Sequence, residues 1–165
     1  MATFGRNAEG VRIAGPWGPP PPFQPPSSET REAIARLYEE VDASLAPAAA
    51  ACRACGRCCR FKPGGIILFA SAVELAYLVA EAAARTSQRR SGDSWRCPYQ
   101  RGKRCSARRA RLLGCRTYFC QAEARAGGER IYAEVLREIQ RIAEGQGPWW
   151  YGPARLYLER ALRQV

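Results

Sequence analysis

The chain has 165 residues, enough for one domain with a modest core. Of its composition, 47% is hydrophobic, but much of that is alanine, which buries little area, so cross-links or a metal would help it hold a fold. Against 15 acidic residues stand 26 basic ones and no histidine, giving +11; this excludes Ser/His and Cys/His nucleophile pairs and favours acidic partners.

Residues 1 to 27 read as a disordered, proline-rich leader: PWGPPPPFQPP (16 to 26) cannot join a helix or a sheet interior. The opening MATFGRNAEGVRIAG lacks the continuous apolar core of a signal peptide, so the expected location is cytoplasmic. A first helix is predicted from about Ser28 to Leu45, capped by Ser27 or Ser28, with Ile34, Leu37, Tyr38, Val41 and Leu45 on one face. Pro47 limits it, and an alanine run leads into CRACGRCC (52 to 59).

Beyond a Pro63–Gly65 turn, IILF (66 to 69) reads as a short buried strand. Ser71 and Glu74 form a capping box for a helix over about 72 to 86. Glu74 and Glu81 make this helix amphipathic rather than membrane-spanning, and no membrane partner is expected. A polar loop (86 to 94) precedes WRCPYQRGKRC (95 to 105), predicted irregular with turns at Pro98 and Gly102. SARRARLL (106 to 113) reads as a short helix ended by Gly114, with CRTYFC (115 to 120) directly after. Gly127 and Gly128 are expected to separate this from an amphipathic helix over about 129 to 144, striped by Ile131, Val135, Leu136, Ile139 and Ile142. GPWWYGP (147 to 153) reads as a turn-rich aromatic link, and a last helix starts near Pro153.

The eight cysteines are the chemical signal. Cys52, Cys55, Cys58 and Cys59 crowd into eight positions; Cys97, Cys105, Cys115 and Cys120 follow. Two Cys-x2-Cys steps let a turn converge sulfurs on one ion, and Gly56 relaxes the backbone there. The thiolate is the ligand, and a positive field favours it. No acid occurs between Ala43 and Val73, while Arg53, Arg57, Arg60 and Lys62 lie in or beside the first block. From Ser94 to Ala122 there is again no acid, but Arg96, Arg101, Lys103, Arg104, Arg108, Arg109, Arg111 and Arg116 are present. Such tight spacings in a reducing compartment point to metal or redox work rather than stable disulfides. Zinc in a four-thiolate site and an iron–sulfur cluster both suit an all-sulfur set, and the spacing does not choose between them. Four thiolates around a divalent ion carry a net charge of about −2, so two such sites would lower the chain's charge to about +7. Adjacent side chains point apart, so Cys58 and Cys59 serve different sites, or one of them is a non-ligand or redox thiol.

On CRACGRCC (52 to 59), the strand and capped helix with Glu74, CPY (97 to 99), RCS (104 to 106) and CRTY (115 to 118), the chain resembles the YkgJ-like cysteine-cluster family of zinc- or iron-chelating proteins. The resemblance covers about residues 50 to 120 and implies a metal-binding module without implying one reaction; related motifs occur in flagellin lysine methylases. The chain departs from the family in having Leu112 and Leu113 where an arginine–proline pair is common, and in adding Cys120.

The basic runs, with Trp95, Tyr99, Tyr118 and Phe119 among them, also fit nucleic acid, but the arginines read first as counter-charges to thiolates. Trp149, Trp150 and Tyr151 read as core over a helix pair before they read as a partner surface. No Gly-rich phosphate loop is present and no catalytic residue stands out. The expectation is a small, helix-rich α+β single domain with irregular cysteine-rich loops anchored by metal. Its parts are a leader (1–27), a cysteine-cluster metal-binding domain (28–126) and C-terminal helices (127–165) packed on it. The expected function is chelation of zinc or an iron–sulfur cluster; the alternatives are an iron–sulfur redox or methylase-like enzyme and a basic nucleic-acid-binding module.

Overall fold

A computed structural model of the chain describes residues 17–50, 56, 59–60, 67–83, 96–120 and 122–164. In chain order these form α1 (Ser28–Ser44), α2 (Ala46–Ala50), β1 (Phe69–Ser71), α3 (Ala72–Ala83), β2 (Gln100–Arg101) and β3 (Arg104–Cys105). A 3-10 turn at Arg108–Ala110 is followed by α4 (Leu113–Thr117), α5 (Ala122–Ala143), β4 (Tyr151–Pro153) and α6 (Ala154–Ala161). The fold is helix-rich α+β, as the sequence predicts. No helix among the described residues is long and apolar enough to cross a membrane.

The helix signals hold where they rest on local chemistry. The Ser27 hydroxyl accepts from the Thr30 amide at 3.2 Å and opens α1. Ile34, Tyr38, Val41 and Leu45 are buried along one face, with Leu37 half-buried beside them. α1 ends at Ser44, before Pro47, as expected; Pro47 then sits in the first turn of α2, where its missing N–H costs little. The Ser71–Glu74 capping box forms at the head of α3, with the Glu74 amide donating to the Ser71 hydroxyl at 3.3 Å and the Ser71 amide to the Glu74 carboxylate at 2.9 Å.

Several expectations are corrected. The strand predicted at 66 to 69 begins only at Phe69, and Ile67 is 64% exposed. Its partner is β4, antiparallel, with Phe69 opposite Pro153, Ala70 opposite Gly152 and Ser71 opposite Tyr151. The aromatic link therefore contains a strand, tied to β1 also by stacking of Phe69 on Tyr151 at 5.8 Å. Trp150 is buried as core against Tyr157, while Trp149 stays 40% exposed.

The two helix-breaking glycine expectations also fail, for one physical reason. Gly114 lies inside α4 and Gly128 inside α5. At each, the missing side chain makes room for close packing. A Cβ on Gly114 would sit 2.7 Å from Leu68 Cδ1, and one on Gly128 would sit 2.1 Å from the Thr117 carbonyl oxygen. The helix expected from 106 shrinks to the 3-10 turn, and helical structure resumes at Leu113. Of the predicted α5 stripe, Val135 and Ile139 are buried; Ile131, Leu136 and Ile142 pack half-buried around them.

Residues expected to belong to a disordered leader lie against the domain from Trp17 onward. Trp17 meets Phe69 edge to face at 5.2 Å, and Pro26 is buried. Residues 1–16, the Pro63–Gly65 turn and the 86–94 loop lie outside the described residues.

Candidate metal centre

The two cysteine regions meet through their backbones. Gly56 adopts φ +71°, a conformation that glycine takes without strain, and the Cys59 amide donates back to the Gly56 carbonyl at 3.3 Å. From the second region, the Cys97 amide donates to the Cys59 carbonyl at 2.8 Å, and Arg60 bridges antiparallel to Arg96. Cys97 to Gln100 then form a turn, closed by the Gln100 amide on the Cys97 carbonyl at 2.9 Å, with Pro98 at its second position.

The stretch predicted irregular is in fact a hairpin. β2 and β3 pair Gln100 with Cys105 and Arg101 with Arg104 around Gly102, whose φ is +56°. The Gln100 side chain is buried and donates to the Gly56 carbonyl at 3.2 Å, locking the hairpin onto the first cysteine block. A Cβ on Gly56 would stand 2.5 Å from that amide nitrogen and 3.3 Å from the Lys103 carbonyl. The contact therefore requires glycine on both steric and dihedral grounds. Cys59, Cys97 and Cys105 are all half-buried along this joint.

Cys115 arrives by another route. It is half-buried on α4, whose first amide, Leu113 N, donates to the Glu74 carboxylate at 3.0 Å. The same carboxylate accepts from the Tyr38 hydroxyl at 2.9 Å and from both the amide and hydroxyl of Ser71 at 2.9 Å. Glu74 is 1% exposed and so joins α1, α3 and α4 from inside the core. Burial first, then the Glu74 charge, pushes the Tyr38 phenol well above its ordinary pKa; Cys115 lies close enough to add to the same shift.

Arg116, beside Cys115, is buried in the same knot. Its guanidinium donates to Asp42 and to the carbonyls of Arg109 and Arg111, and lies 4.1 Å over the Tyr38 ring. Arg111 also reaches Asp42, at 3.5 Å. These two cations are bound to an α1 acid, so they fall outside the part of the basic excess read as counter-charge to thiolates. Arg60, Arg101, Lys103, Arg104, Arg108 and Arg109 stay exposed around the joint.

The structure thus joins the chain segments of Cys59, Cys97 and Cys105, and holds Cys115 from the core side. Cys120 is exposed beyond the end of α4. Cys52, Cys55 and Cys58 lie outside the described residues. Among the described residues, no group of three or more Cys, Asp or Glu side chains is gathered tightly enough to hold one ion. The donor set itself suits a thiophilic metal: all sulfur, with no histidine, and Cys59, Cys97, Cys105 and Cys115 half-buried. Of the rings considered for base stacking, Tyr99 and Phe119 are buried, Tyr118 is 41% exposed, and Trp95 lies outside the described residues.

No family model, curated protein or solved structure matches the chain.

The hub on Glu74 and the Asp42–Arg116 pair are not evident in the sequence. The capping box marks Glu74 as useful locally, but its partners Tyr38 and Leu113 lie 36 and 39 positions away.

Proposed function

We propose that this chain is a cysteine-cluster metal-binding protein of the YkgJ-like kind, acting in the cytoplasm, where its thiols stay reduced. The observation that carries the reading is the Cys97 amide bonded to the Cys59 carbonyl, which joins the segments of these two cysteines. The ligand pool is Cys52, Cys55, Cys58, Cys59, Cys97, Cys105 and Cys115, with Cys120 the weakest member because it is exposed at the far end of α4. When bound, zinc would supply a structural cross-link and an iron–sulfur cluster one-electron transfer. Gln100 and Gly56 hold the hairpin against the first block, Glu74 holds the start of the Cys115 helix, and the exposed arginines favour thiolate over thiol. The nucleic-acid reading keeps its exposed cations but loses the buried Tyr99 and Phe119 as stacking platforms.

The test is purification without oxygen, a visible spectrum, and assay of zinc, iron and sulfide. Stoichiometric zinc in colourless protein makes the centre a scaffold; iron with sulfide in brown protein makes it a redox site. Cys97→Ser is expected to lose metal and helical signal together, since metal binding and folding are linked, whereas Cys120→Ser retains both. Metal-free protein that is folded as well as its Cys97→Ser variant sinks the proposal.

A further inference from the structure

The proline-rich segment does more than touch the domain. Pro21, Pro22, Pro25 and Pro26 face a groove formed by Ala72, Val73 and Ala76 of α3 with Trp149, Trp150 and Tyr157. Among the described residues, its polar contacts with the domain use backbone atoms of the segment. The Trp150 indole N–H donates to the Gly18 carbonyl at 3.5 Å, Arg160 donates to the Pro20 carbonyl at 2.6 Å, and the Phe23 amide donates to Gln164 Oε1 at 3.0 Å. A polyproline helix has no internal hydrogen bonds, so its carbonyls are free to be read by such donors between apolar rings. Gly18, at φ +64°, turns the chain just before the run.

On this pattern we propose that the groove is a polyproline-binding site, occupied in cis by residues 17–26 and taken over in trans by a proline-rich segment of a partner protein. The recognition is of backbone carbonyls and ring faces, so it transfers to any chain that presents them in the same extended form. The resident segment fits incompletely. A cavity of about 200 Å³ remains between it and the groove, and Pro22, Gln24 and Pro25 are exposed. Tethering raises its local concentration to about the millimolar range, so it masks the site without binding tightly. The inference does not depend on the metal.

The probe is a labelled PWGPPPPFQPP peptide, followed by fluorescence anisotropy against full-length protein. Pro20→Ser, Pro21→Ser and Pro22→Ser together with Trp17→Ala weaken the resident segment and leave the groove intact. If the resident segment masks at least nine-tenths of the sites, this variant binds the peptide about tenfold more tightly than the unaltered chain. Adding Arg160→Ala removes most of that gain, and a peptide with every proline replaced by glycine fails to bind. Trp17→Ala alone, which spares the prolines, is expected to fall between the two. Absence of peptide binding at millimolar concentration to the unmasked variant, with its helical signal retained, overturns the proposal. So does concentration-dependent dimerisation that peptide cannot reverse, which would make the groove a site of exchange between copies.

Discussion

Glu74→Gln separates a local helix cap from a core hub. As a cap alone, Glu74 serves Ser71, and losing such an interaction costs about 1 kcal/mol. As a hub, it accepts four hydrogen bonds inside a core where Ser71, Tyr38 and Leu113 are each at most 1% exposed. Glutamine keeps one acceptor oxygen and turns an NH2 donor toward the groups that faced the other. Two buried donors then lose their acceptor, at about 1–3 kcal/mol each, or about 2–6 kcal/mol together. That is a large part of the 5–15 kcal/mol typical of a whole domain (order of magnitude). Urea unfolding is expected to show a midpoint lowered accordingly at unchanged slope, with Ser71→Ala costing only about 1 kcal/mol. Tyr38→Phe combined with Glu74→Gln should cost less than the sum of the two, because both remove the same bond. A Glu74→Gln loss no larger than that of Ser71→Ala refutes the hub.

Gly128→Ala forces a methyl against the Thr117 carbonyl and should cost about 1–3 kcal/mol or more by thermal unfolding. Gly127→Ala, where a Cβ meets nothing, should stabilise α5 by about 0.5–1 kcal/mol. Burial raises the phenols of Tyr38 and Tyr157, the latter to about 12, so the folded chain holds protons that the unfolded chain releases near pH ~10. Stability is therefore full below about pH 10 and falls as pH rises through the folded values, by up to about 1.4 kcal/mol per pH unit for Tyr38 alone. Phenolate absorbance that lags behind that of the urea-unfolded chain, with a falling urea midpoint, checks this. Removing metal from the loaded protein with a chelator should abolish helical signal if the centre is structural, as followed by circular dichroism.

What the sequence made legible was chemistry acting over one turn: Ser27 on Thr30, Ser71 on Glu74, and the apolar faces of α1 and α5. What it hid was chemistry between distant segments. Gly114 and Gly128 look like breakers because their packing partners, Leu68 and Thr117, are reached only through the fold. The β2–β3 hairpin was masked by a Gly-Lys turn that lacks the usual asparagine or aspartate, and by strands of only two residues. The backbone joint between Cys59 and Cys97 lies between segments 38 positions apart, and no spacing in the sequence marks it. Spacing alone carried no sign that Asp42 would pair with Arg116 and Arg111.

The pairing of β1 with β4 has a consequence for how the chain is made. Ser71 must wait for Tyr151, 80 residues later, before its strand has a neighbour. At a synthesis rate of about 5–20 residues per second, that interval lasts roughly 4–16 s. By then every cysteine of the chain has already been translated, since the last is Cys120. In order of synthesis the cysteines all precede the strand that pairs with β1. Whatever those thiols meet before β4 is made, they meet on a clock of seconds, while β1 still has no neighbour.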